Sequence, residues 1–112
     1  MSASPPNLIA QWAAHHQAAL AALANRDLAA AAGAVRELAT LFDATQGPAP
    51  VRARAAAEIG DLWMLLLDYA AAHACYERAL SLAPQEPRYR FNRASVRRFL
   101  GDLTGTRLRY SS

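Results

Sequence analysis

Residues 58–84, EIGDLWMLLLDYAAAHACYERALSLAP, contain residue types that recur along the chain at fixed offsets. Such internal repetition restricts a chain to stacked copies of one supersecondary unit, since a single copy cannot bury its own apolar face. Moving 34 residues downstream, Gly60 falls on Ala94, Asp68 on Asp102, Tyr69 on Leu103 and Tyr76 on Tyr110. Upstream, Asp27, Ala31, Val35, Leu38 and Leu41 correspond to Asp68, Ala72, Tyr76, Ala79 and Leu82 at an offset of 41, which is 34 plus a seven-residue extension. Each copy reads as two helices joined by a short turn. Alanine supplies 28 of the 112 residues, and no run alternates strictly between apolar and polar, so helix is favoured throughout and strands are not.

In the central copy a pattern of small and aromatic residues is met by Ala56, Ile59-Gly60, Trp63, Ala72, Tyr76 and Pro84. This resembles the tetratricopeptide family, with Ala56 standing where a larger apolar residue is usual. The resemblance implies an all-α fold: a short right-handed superhelical array of antiparallel helix pairs, with about five helices and a partial sixth. Paired helices approach closely only where side chains are small, which assigns Gly60 and Ala72 to the contact and Trp63 and Tyr76 to the space beside it. A buried Trp63 implies a loss of about 3 to 5 kcal/mol on truncation to alanine.

Taken in order, residues 1–6 read as a disordered, proline-bearing N-terminus, and 7–112 as one tetratricopeptide-like domain. A divergent repeat occupies 7–42. Its first helix is expected over 7–24, capped by Asn7 with Leu8, Trp12, Ala19, Leu20 and Leu23 near one stripe; the second is expected over 28–42 with Val35, Leu38, Leu41 and Phe42 inward. The segment DATQGPAP, 43–50, carries prolines that exclude helix and reads as a long loop. An intact repeat follows at 53–86, from helices over 51–67 and 69–82, ended by Pro84 and Pro87. The last repeat, 87–112, is incomplete: a helix over 87–100, a turn at 101–103 and the start of a sixth helix weakened by Gly105.

Charge is distributed unevenly. Residues 1–86 carry five Arg against eight acids, whereas 87–112 carry seven Arg against one, and lysine is absent. Opposite signs in the two segments point to an interaction surface at the C-terminal end. On the expected fifth helix Tyr89, Val96, Phe99 and Leu103 form the apolar stripe, with Arg90, Arg93 and Arg97 on a neighbouring one. Arg93 and Arg97 stand where Ile59 and Trp63 stand one repeat earlier. That substitution reads either as a solvated cap of a short array or as a docking face for an acidic partner, because guanidinium groups pair bidentately with carboxylates.

The family resemblance implies a concave groove lined by the first helix of each pair. Its candidates are Arg54, Ala57, Asp61, Met64 and Leu65 from the third helix and Arg88, Phe91, Asn92, Ser95 and Arg98 from the fifth; Arg88, Asn92 and Ser95 together suit a peptide carboxylate. The expected partner is therefore a protein or peptide, acidic in character, with self-association through the unfinished last repeat as a further possibility. Nucleic-acid binding is opposed by the acids spread through the earlier repeats and by the lack of a recognised motif.

Enzyme chemistry finds no constellation. His15, His16 and His73 lack the spacing of a metal motif, Cys75 lacks a paired base, and no nucleophile elbow occurs, so catalytic, cofactor and metal residues are all expected to be absent. The segment YRFNRASVRRFLGDL, within about 50–105, is similar to the repeat region of bacterial tetratricopeptide-containing sulfotransferases. Without a Gly-rich phosphosulfate loop or a lysine, that similarity implies an inactive module that positions a catalytic domain, as the alternative to a free-standing scaffold. A single cysteine, a start that lacks the regions of a secretory signal and the want of a long apolar run suggest the cytoplasm.

Overall fold

The structure, a computed structural model, describes residues 8–44 and 46–104, with side chains placed as far as Gly101. Among the described residues all regular structure is α-helical: α1 (Leu8–Ala24), α2 (Leu28–Ala44), α3 (Ala49–Leu65), α4 (Tyr69–Leu82) and α5 (Pro87–Thr104). These belong to two compact units, Met1–Gln46 and Gly47–Ser112. In the first, α1 packs on α2; in the second, α4 packs against both α3 and α5. The expectations for Asn7, for residues 1–6, for Leu103 and for a sixth helix fall outside the described residues or side chains.

The two turns that close α1 on α2 and α3 on α4 have the same hydrogen-bond pattern at an offset of 41. Asp27 N donates to Ala22 O at 2.8 Å and Arg26 N to Leu23 O at 3.0 Å; Asp68 N donates to Trp63 O at 2.9 Å and Leu67 N to Met64 O at 3.0 Å. This is the paired bonding of a Schellman helix end, which needs a left-handed residue just after the helix. Arg26, with φ 58°, and Leu67, with φ 61°, supply it without being glycine. Both are exposed, so neither side chain meets a packed neighbour on taking that conformation. The next residue starts the following helix: Asp27 Oδ1 accepts from Ala30 N and Asp68 Oδ1 from Ala71 N, each at 3.1 Å. Each aspartate satisfies an amide that the helix leaves without a carbonyl, an effect worth about 1 kcal/mol.

Counting away from these turns pairs the interiors. Ala31, Val35 and Leu38 in α2 are buried, as are Ala72, Tyr76 and Ala79 in α4; in the preceding helices buried Ala19 corresponds to buried Gly60. Where the first unit has a methyl on α1 and a valine on α2, the second has no side chain on α3 and a tyrosine on α4. The fit around Gly60 is close: a Cβ there would lie 2.9 Å from Tyr76 Cε1 and 3.1 Å from Cys75 Cβ. Gly60 is therefore fixed by helix approach. No atom lies within 4 Å of a Cβ built on Gly33 in α2 or on Gly101 in α5.

Several sequence expectations are corrected. Leu20 is 38% exposed, because it occupies the position that Asp61 holds in the second unit, one residue past the inward-facing Ala19. Trp63 is half-buried, so its truncation costs less than that of a fully buried tryptophan would. Helix α2 extends to Ala44 and α3 begins at Ala49, so the link is shorter than 43–50; Pro50 lies in the first helical turn, where proline's missing N–H removes no bond. Helix α3 ends at Leu65 and not at 67, Leu67 having become the left-handed turn residue. Residues 101–103 are helical and not a turn: α5 runs on to Thr104, its Gly101 costing about 1 kcal/mol of helix propensity, which a continuous helix tolerates.

Candidate interaction surface on the last helix

The proline at the start of α5 fits its first turn for the same reason as Pro50. Tyr89 and Val96, seven residues apart and therefore on one face, are buried, and this is the face that α5 turns towards its packing partner α4. Further along, the Phe99 ring stacks on Tyr69 of α4 with centroids 5.1 Å apart and planes 13° from parallel. Cys75 on α4 is partly covered, and burial pushes its thiol up to about 11 although nearby Arg78 acts in the opposite direction. Tyr76 is pushed well above the ordinary phenol range, first by burial and then by its hydrogen bond to the Asp61 carboxylate. That bond, Tyr76 Oη donating to Asp61 Oδ1 at 2.5 Å, ties α4 to α3.

The five arginines placed on α5 divide by what they meet. Arg93 Nη1 and Arg97 Nη2 both reach Glu77 Oε1 on α4, at 3.3 and 3.2 Å. Arg97 Nε also donates to His73 Nε2 at 3.1 Å. A guanidinium can only donate, so His73 Nε2 serves as an acceptor there and its 3.6 Å approach to Glu77 is not the bond that holds the cluster. Arg88 Nε donates to Glu86 Oε1 at 3.2 Å, and its guanidinium carbon lies 5.6 Å from the Tyr89 ring centroid. Arg90 and Arg98 are exposed and have no acidic partner among the described side chains.

The departure at Arg93 and Arg97 from the pattern set by Ile59 and Trp63 thus has a local counterpart: these two guanidiniums are directed at α4. They are neither a wholly solvated cap nor freely presented for docking. Glu77 had not been singled out from sequence, yet its position carried a signal. Residue numbers in an antiparallel pair have a nearly constant sum, and Glu77 with Arg93 and His73 with Arg97 share one. Charge matching across the turn at 83–86 would have found the cluster.

The remaining groove candidates lie apart from it. Arg54 is exposed and pairs with Glu58 one turn along α3 at 3.3 Å. Asp61 is exposed and engaged with Tyr76, while Ala57 is buried in the helix contact and offers no surface. Asn92 and Ser95 are half-buried on α5, in register with Arg88, whose guanidinium already meets Glu86. None of these interactions joins the α3 candidates to those of α5. Among the described residues no three His, Cys, Asp or Glu side chains converge as metal ligands, and no helix is long and apolar enough to cross a membrane. No protein-family model, curated protein or solved structure matches this chain.

Proposed function

We propose that the protein is a non-catalytic scaffold of tetratricopeptide type that holds a protein or peptide partner on α5. The observation that carries this reading is the sorting of charge on that helix. Arg93 and Arg97 are paired with Glu77, whereas exposed Arg90 and Arg98 meet no acid among the described side chains and lie beside Phe91, an aromatic side chain 70% exposed. Exposed aromatic and arginine side chains are the types enriched where interfaces form. The scaffold type is supported by the repeated Schellman turn with its aspartate and by the Gly60–Tyr76 approach. A cytoplasmic setting suits a chain with a single cysteine.

A random peptide display library tests the reading. Wild-type protein is expected to enrich a sequence family that Phe91→Ala with Arg98→Ala no longer retains. Failure to enrich any family, or enrichment indifferent to those two changes, would overturn it. Charge reversal at Arg93 and Arg97 is a poorer test, because it also places two acids against Glu77.

A further inference from the structure

On an α-helix, residues 90, 94 and 98 form one ridge, each a little more than a turn from the next. In α5 that ridge is Arg90, Ala94 and Arg98, all exposed, with exposed Phe91 beside it. The two cations are eight residues apart, about 12 Å along the axis at 1.5 Å per residue. Between them stands the small side chain of Ala94, with exposed Phe91 on the adjoining face. The patch is therefore positive, apolar and positive in sequence along the helix. Neither end charge meets a carboxylate among the described side chains, whereas Arg93 and Arg97 are ion-paired with Glu77, Arg97 remaining exposed.

We infer that this ridge takes an extended acidic segment of the form acid–x–apolar–x–acid, the two side-chain carboxylates meeting Arg90 and Arg98 and the central apolar side chain seated on Ala94 against Phe91. The inference rests on the scaffold reading above and names its partner. In an extended strand, residues i, i+2 and i+4 point to one side, and four steps of about 3.3 Å span about 13 Å. That matches the separation of the two arginines. A helical partner would need charges about seven or eight residues apart to cover the same distance, so the spacing of the two acids in sequence distinguishes the two kinds of partner. The carboxylates belong to side chains inside the segment, so a free C-terminus is not required. Arginine favours such partners because its planar fork accepts a carboxylate through two parallel bonds.

Fluorescence anisotropy with a labelled peptide, acetylated and amidated, of sequence Gly-Ser-Glu-Ser-Leu-Ser-Glu-Ser-Gly gives the test. Saturable binding is expected, weakened tenfold or more when both Glu are replaced by Gln, and to the same degree by Arg90→Glu with Arg98→Glu. Phe91→Ala is expected to weaken it about threefold to tenfold, and moving the two acids next to each other should do likewise. Helical circular dichroism of each variant confirms that these exposed substitutions leave the fold intact. Absence of saturable binding, equal binding of the Gln peptide, or binding untouched by the double reversal would overturn the inference. The library experiment separates the two readings: α5-dependent peptides without acids would remove the acidic segment and keep the scaffold, whereas no enriched peptides would remove both.

Discussion

The first and second helix hairpins close with the same turn and fill their interiors differently. Arg26-Asp27 and Leu67-Asp68 make equivalent bonds, so the backbone route from one helix to the next is shared. Inside, Ala19 and Val35 of the first hairpin stand where the second has Gly60 and Tyr76. Removing one methyl on α3 admits an aromatic ring from α4, and the ring's hydroxyl then reaches Asp61, a bond for which Leu20 has no equivalent. The turn is a local property of a few residues. The interior is a matched pair, so change at one member requires change at the other.

Trp12 lies in the first hairpin and Trp63 in the second, and both are half-buried, so urea unfolding of Trp12→Phe and Trp63→Phe backgrounds reports each hairpin separately. Tyr76→Ala should have the largest effect, destabilising the second hairpin by about 3 to 5 kcal/mol, against about 2 kcal/mol in the first for Val35→Ala. Equal losses would show that the ring adds nothing beyond a valine. Gly60→Ala should cost about 1 to 3 kcal/mol by overpacking against the Tyr76 ring, while Gly33→Ala should gain about 1 kcal/mol of helix propensity, since no atom lies near the added methyl. If the interior is a matched pair, Gly60→Ala combined with Tyr76→Val will lose less than the sum of the two single changes.

Below these comes the shared turn. Leu67→Gly and Arg26→Gly should each stabilise by about 0.5 to 1 kcal/mol, because glycine takes a positive φ without the strain of a Cβ. A gain in one hairpin and a loss in the other would break the equivalence of the turns. The smallest effect is alkaline. The Tyr76 phenol is held protonated in the folded state by burial and by Asp61, so above about pH 10, where an unfolded tyrosine ionises, the folded state binds the extra proton and stability falls as pH rises. Tyr76→Phe should flatten that decline in the second hairpin, as followed by thermal melts between pH 9 and pH 11.

Much of this was legible in the sequence. The 41-residue offset places the two aspartates in equivalent turns, α4 falls at the expected residues, and the smallness of Gly60 and Ala72 marks the close approach of α3 and α4. What failed were readings that depend on which side of a stripe is covered. Leu20 and Trp63 have the right spacing for burial, but periodicity fixes a face only to within a residue, and how much of it is covered depends on the neighbouring helix. Pro50 and Gly101 have the character of helix stops in the sequence, although both are tolerated where no helical bond is lost. The arginine-rich helix is visible in the sequence; its division into paired and unpaired charges is not, because that depends on Glu77 from another helix.

Glu77 acts as a filter on what α5 shows to its surroundings. One carboxylate oxygen receives two arginines, so that among the arginines placed on α5 only Arg90 and Arg98 have no acidic partner among the described side chains. A neutral residue at 77 would leave Arg93 and Arg97 without that carboxylate and, on the proposed reading, weaken the discrimination by spacing. On the proposed reading, selectivity at the surface of α5 would depend on Glu77, a residue of the neighbouring helix.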